Sequence, residues 1–103
     1  MKKPLTHITV SMPRTLVDLI DESAPKARSQ HIISLINSFY QHPVERPDLT
    51  ELNDPEDEVV NFTLRLPDST VEQLKYLGDL RFRDRNQMIQ VATYTQILLG
   101  HFQ

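Results

Sequence analysis

Residues 61–67, Asn-Phe-Thr-Leu-Arg-Leu-Pro, alternate polar and apolar side chains and stop at a proline. A period of two marks a strand with one buried face. Phe62, Leu64 and Leu66 are therefore expected to enter a core, with Asn61, Thr63 and Arg65 pointing away from it. Beyond Pro67 the period lengthens, and Val71, Leu74 and Leu77 recur at helical spacing. A second helix is expected over 84–97, DRNQMIQVATYTQI. Asp84 is its N-cap, and Gln87 is placed to reach back and complete a capping box.

The same succession occurs once more, earlier in the chain. HITVSMPRTLVDLID (7–21) lies over NFTLRLPDSTVEQLK (61–75) at an offset of 54, and ARSQHIISLINSFY (27–40) lies over DRNQMIQVATYTQI at an offset of 57. Leu16, Leu19 and Ile20 supply the helical spacing of the earlier first helix. Thr15 with Asp18, and Ser69 with Glu72, resemble capping boxes that open the two first helices. At the opening of the earlier second helix stands Ala27, which has no side-chain acceptor, so that helix should start less firmly. Pro25 ends the helix before it, and the three-residue difference in offset places a deletion near ESAPK (22–26).

Each copy, 5–40 and 60–100, reads strand–helix–helix and is too small to bury its own apolar face. Two copies sharing one core, with their strands paired as a ribbon, solve that problem. The expected fold is one domain over 1–103, mostly α with a two-stranded antiparallel β-ribbon.

Charge adds a linker to this picture. Of 103 residues, 11 are Lys or Arg and 14 Asp or Glu, a formal net charge of -3 that by itself argues mildly against nucleic acid. Residues 41–60 hold seven of the acids (Glu45, Asp48, Glu51, Asp54, Glu56, Asp57, Glu58) against Arg46 alone, and leave the remainder at +3. With Pro43, Pro47 and Pro55, the segment 41–59 reads as a solvated, extended linker. No stretch approaches the roughly 20 apolar residues of a membrane span, and Pro4, Thr6 and His7 interrupt any signal-like run after the first lysines. The absence of cysteine excludes a disulfide framework and thiol chemistry, and fits a reducing, cytoplasmic setting.

With these residues in hand, NFTLRLP, its amphipathic helix and RDRNQMIQVA resemble the strand, first helix and second-helix opening of the ribbon-helix-helix (Arc/MetJ-type) DNA-binding family. HITVSMP and KARSQHII resemble a looser second version. Members of that family usually carry one copy and dimerise. Two copies in one chain are similar to the tandem arrangement of TraY-type accessory proteins at conjugative-plasmid transfer origins, and imply a single-chain pseudo-dimer.

The resemblance implies that the ribbon lies in the major groove of double-stranded DNA, with His7, Thr9, Ser11, Asn61, Thr63 and Arg65 reading base edges. It implies phosphate contacts near the second-helix openings from Arg28, Ser29, Arg83, Arg85 and Asn86. The chemistry of the readers agrees independently: an Arg fork suits guanine O6 and N7, an Asn amide suits adenine N6 and N7, and Ser or Thr accept either role. Lys2, Lys3 and Lys26 would add nonspecific contacts. The competing account of the six strand residues is the wet face of an ordinary sheet, and Arg near helix ends is often simply solvated.

A repressor or other regulator of transcription, nucleoid-associated, is the expected function. Further copies side by side on DNA are compatible with it. The alternatives are a relaxosome accessory protein with a relaxase partner, or an antitoxin-type module with a toxin partner. Enzyme chemistry is not expected. His7, His31, His42 and His101 share no ligand spacing, Met88, Ile89, Ala92 and Ile97 read as core, and no nucleophile elbow or glycine loop is present. No cofactor or metal is expected.

Overall fold

In the computed structural model the described residues are 5–24, 26–42, 55–81 and 84–100. The elements run β1 (Leu5–Pro13), α1 (Arg14–Ser23), α2 (Arg28–Gln41), β2 (Val59–Pro67), α3 (Asp68–Arg81) and α4 (Arg85–Gly100). The order strand–helix–helix thus occurs twice, and the protein is mostly helical with one two-stranded antiparallel sheet among the described residues. Most of the acidic segment, 43–54, lies outside them, as do Pro25, Arg83 and His101.

β1 and β2 pair along their whole length, from Leu5 opposite Pro67 to Pro13 opposite Val59. Thr9 opposes Thr63 at the centre, and these two residues are also equivalent in the repeat, 54 positions apart. The register therefore relates the two strands by an approximate two-fold through that pair. Alternation does the rest: Ile8, Val10, Met12, Leu64 and Leu66 are buried under the ribbon, and Phe62 is half-buried against the same core.

The helices complete one core around these strand residues. α1 contributes Leu16, Val17 and Ile20, and α2 contributes Ile32, Ile36 and Phe39. Leu74 and Leu77 of α3 and Met88, Ile89, Ala92 and Ile97 of α4 belong to the same cluster. The expected core positions in α4 are thus in place. Near the end of α2, Tyr40 meets Tyr76 of α3 edge to face, ring centroids 6.0 Å apart.

Two expectations about helix starts need correction. Neither Thr15 nor Ser69 is a cap, because each helix begins one residue earlier, directly after the strand's closing proline. Pro13, with φ -62° and ψ 146°, is the N-cap of α1 and offers no side-chain acceptor. The orphan amides of α1 are met from a distance: Arg14 N–H donates to Glu58 O at 2.7 Å, and Thr15 N–H to Asp57 Oδ2 at 3.3 Å. The end of the acidic segment thus serves as the cap.

The opening of α4 behaves as its sequence requires. Gln87 N–H donates to Asp84 Oδ1 at 2.8 Å and Asp84 N–H to Gln87 Oε1 at 3.2 Å, a reciprocal capping box. Ala27 opens α2 with no side-chain cap bond, also as expected. The shortening of the first copy falls inside its helix: α1 has 10 residues and α3 has 14.

Candidate nucleic-acid interface

The face of the ribbon turned away from the core is built by positions 5, 7, 9, 11 and 13 of β1 and 59, 61, 63, 65 and 67 of β2. His7, Thr9, Asn61, Thr63 and Arg65 are exposed and Ser11 is half-buried, so all six expected readers share this face. His7 opposes Arg65, Thr9 opposes Thr63 and Ser11 opposes Asn61. None of the ten residues is acidic.

The spacing of the six follows from the ladder. Ser11 directs both its N–H and its C=O at α4, so Ser11 and Asn61 form a non-hydrogen-bonded pair. By alternation Thr9 with Thr63 and His7 with Arg65 do the same, and side chains in such pairs stand closest. The Ser11 hydroxyl accordingly donates to Asn61 Oδ1 across the ribbon.

The openings of α2 and α4 flank the two edges of the ribbon. On the β2 side a cleft of roughly 400 Å³ is lined by Asp21, Lys26, Arg28, Ser29, Phe62 and Thr63. Arg28, expected as a phosphate contact, is engaged inside the protein there. Its Nε and Nη2 donate to Asp21 Oδ1 and Oδ2 at 2.9 and 2.7 Å, and its guanidinium lies over the Phe62 ring, 5.0 Å from the centroid. The hydrogen bond from Arg28 holds the Asp21 carboxyl below its ordinary range, and the same bond pushes the Arg28 pKa up. Each side chain keeps about a third of its surface exposed. Lys26 is exposed, and Ser29, half-buried, is placed beside Thr63.

On the β1 side Asn86 is likewise committed. Ser11 N–H donates to Asn86 Oδ1 at 2.9 Å, and Asn86 Nδ2 donates to Ser11 O at 2.9 Å. Gln90 Nε2 donates to the same carbonyl at 3.0 Å. Gln90 was not singled out by sequence. Its signal was available in the repeat, where it is a polar residue aligned with the apolar Ile33. Arg85 is exposed beside the cleft that Val71, Leu74 and Lys75 form with the α4 opening. Arg83 lies outside the described residues.

Two acids that flank the ribbon strands, Glu58 and Asp68, have partners on its helix side. Arg14 Nη2 pairs with Glu58 Oε2 at 3.3 Å, and Thr6 Oγ1 donates to Asp68 Oδ1 at 2.9 Å. The middle of the outer face is a grid of neutral donors and acceptors with one guanidinium and one imidazole, and Leu5, Pro13, Val59 and Pro67 stand at its ends. Such a surface can hydrogen-bond base edges without repelling phosphate. No group of three or more His, Asp or Glu suited to a metal occurs among the described residues, and no helix there is long and apolar enough to cross a membrane. The chain matches no protein-family model, no curated protein and no solved structure.

Proposed function

We propose that the chain is a tandem ribbon-helix-helix protein, a single-chain pseudo-dimer that binds double-stranded DNA sequence-specifically through its ribbon. The carrying observation is the outer face of that ribbon: six polar readers in three close cross-strand pairs, no acid among them, between two helix openings. A two-stranded ribbon fits the B-DNA major groove, about 12 Å wide. Amides and cations at helix openings suit the phosphates on either side of it. Lys26, Lys75 and Arg85 are exposed cations beside those openings, with Arg28 held more tightly by Asp21.

Because His7 faces Arg65 and Ser11 faces Asn61, the two ends of the ribbon present different chemistry. The preferred site is therefore asymmetric, unlike the palindromes matched to two-fold dimers. Occupying such a site near a promoter represses transcription by exclusion. The test is selection of binding sites from a random double-stranded DNA pool, with an Asn61→Ala/Arg65→Ala variant beside the wild type. An asymmetric motif that disappears in the variant supports the reading. Absence of any motif, with weak binding at physiological salt, overturns it.

A further inference from the structure

The bond network around Ser11 joins a helix to a base reader. Asn86 and Gln90 stand one turn apart on α4, on the side of the helix that meets β1. Between them they take both polar groups of the Ser11 backbone, one donor and one acceptor, with three bonds of 2.9, 2.9 and 3.0 Å. This closes the outer edge of β1 at Ser11 and fixes the direction in which the Ser11 side chain leaves the strand.

That direction has a consequence one residue across. A hydroxyl has one hydrogen to give and an amide oxygen only accepts, so the Ser11 hydroxyl is the donor to Asn61 Oδ1. Asn61 is then held with its Nδ2 hydrogens free for an acceptor on a base edge, and the Ser11 oxygen keeps lone pairs for a donor. Two side chains present one fixed donor–acceptor pattern.

The other copy has no counterpart. The residues aligned with Asn86 and Gln90 are Ser29 and Ile33. One is too short and the other apolar, and among the described residues no hydrogen bond joins Ser29 to β2. The end of the ribbon with His7 and Arg65 therefore lacks this support.

Resting on the DNA-reading function proposed above, we infer that Asn86 and Gln90 are positioning residues that preorganise the Ser11–Asn61 pair, so that this end of the ribbon discriminates bases more sharply than the His7–Arg65 end. Groups already held in their binding geometry lose less freedom on association, and their mismatches are less easily accommodated. The inference assigns Asn86 to the ribbon and not to a phosphate.

The test compares wild type, Asn86→Ala and Gln90→Leu on the site selected by the wild type and on its single-base variants, across a salt series. The base positions concerned are those whose preference disappears in Asn61→Ala. Thermal melting confirms that each variant is folded at the assay temperature, and Gln90→Leu, which keeps an apolar stem against the core, guards against misfolding of Asn86→Ala. The expected result is a loss of discrimination of roughly tenfold at those positions in both variants, with preferences at the Arg65 positions and the salt slope unchanged. If Asn86→Ala instead weakens all sequences alike and lowers the salt slope by about one, while Gln90→Leu is silent, Asn86 is a phosphate contact and the inference fails. Lowered melting temperatures with base preferences intact reduce both residues to structural ties and also overturn it. A wild type that selects no motif removes the functional reading itself, and the inference with it.

Discussion

Arg28 and Asp21 form a two-pronged ion pair that joins the start of α2 to the last turn of α1, with the guanidinium resting on the Phe62 ring of β2. One arginine thereby ties both helices of the first copy to the strand of the second. The repeat aligns it with Arg85, which is exposed at the opening of α4. Equivalent positions have thus taken different work in the two copies.

The pair sets a pH dependence. The Asp21 carboxyl is held below its ordinary range by the hydrogen bond from Arg28, so its contribution is fully present above the unfolded value of about 3.9. It is lost as pH falls through the lower folded value. Asp21→Asn is expected to cost about 0.5–1 kcal/mol at neutral pH, a modest figure because both side chains are a third exposed and water screens them. Urea unfolding of wild type and variant at pH 7, 5 and 3 checks this. The gap should persist from pH 7 to 5 and narrow by pH 3, and a gap that stays constant to pH 3 would remove Asp21 as its source.

Adjacent residues of β2 should have opposite phenotypes. Leu64 is fully buried beneath the ribbon and Thr63 is exposed on its outer face. Leu64→Ala leaves a cavity and should destabilise by about 2–5 kcal/mol, a large part of the total stability of a small domain. Thr63→Ala should change stability by less than about 0.5 kcal/mol while altering DNA selectivity. Chemical denaturation and site competition on the two variants separate fold from function. Loss of stability in Thr63→Ala with unchanged selectivity would make the outer face merely solvated.

Much of this was legible in the chain. Alternation in 61–67 and 7–13 assigned both faces of the ribbon. The repeat required two strands to share one core as a ribbon, but the register, centred on Thr9 and Thr63, came only with the structure. The Asp84–Gln87 box was readable because its partners are three residues apart. The cap of α1 was not, because Asp57 and Glu58 lie more than 40 positions downstream of Thr15 and Arg14 and meet them only through the strand register. Pro13 also mattered: its fixed φ lets the helix start immediately, which moved Thr15 inside. The engagement of Asn86 and Arg28 was hidden for a related reason. Residue type marks a polar or cationic group near a helix opening, but whether it faces solvent or a strand edge depends on how closely that helix approaches the ribbon.

The cap supplied by the acidic segment carries its own prediction. Asp57 and Glu58 place negative groups at the N-terminus of α1, where the helix dipole favours them. Asp57→Asn/Glu58→Gln should lower stability by about 0.5–1 kcal/mol. Their carboxylates meet α1 and not the reading face, and salt screens exposed charges beyond about 8 Å at physiological ionic strength. DNA affinity in 0.15 M salt should then change by less than about threefold. Thermal melting and a binding titration on the same variant decide it. A large gain in affinity with unchanged melting would mean that these acids compete with DNA for the basic residues of the ribbon.

Arg65 and Arg85 offer the sharpest separation of base reading from phosphate attraction. Arg65 stands on the outer face opposite His7, where its fork can meet a guanine edge, and Arg85 stands exposed at the opening of α4, beside the cleft that opening forms with α3. Arg65→Ala should cost about 1–3 kcal/mol on the selected site and far less on random sequence. Arg85→Ala should weaken both alike and lower the slope of log affinity against log salt by about one, since one fewer phosphate is neutralised. Fluorescence anisotropy on specific and random duplexes over a salt series measures all of these quantities together. If Arg65→Ala lowers both affinities equally, Arg65 acts only as a charge, and the guanine contact must be withdrawn. If Arg85→Ala leaves the slope intact, the phosphate clamp on the β1 side has to come from the backbone amides of α4 instead.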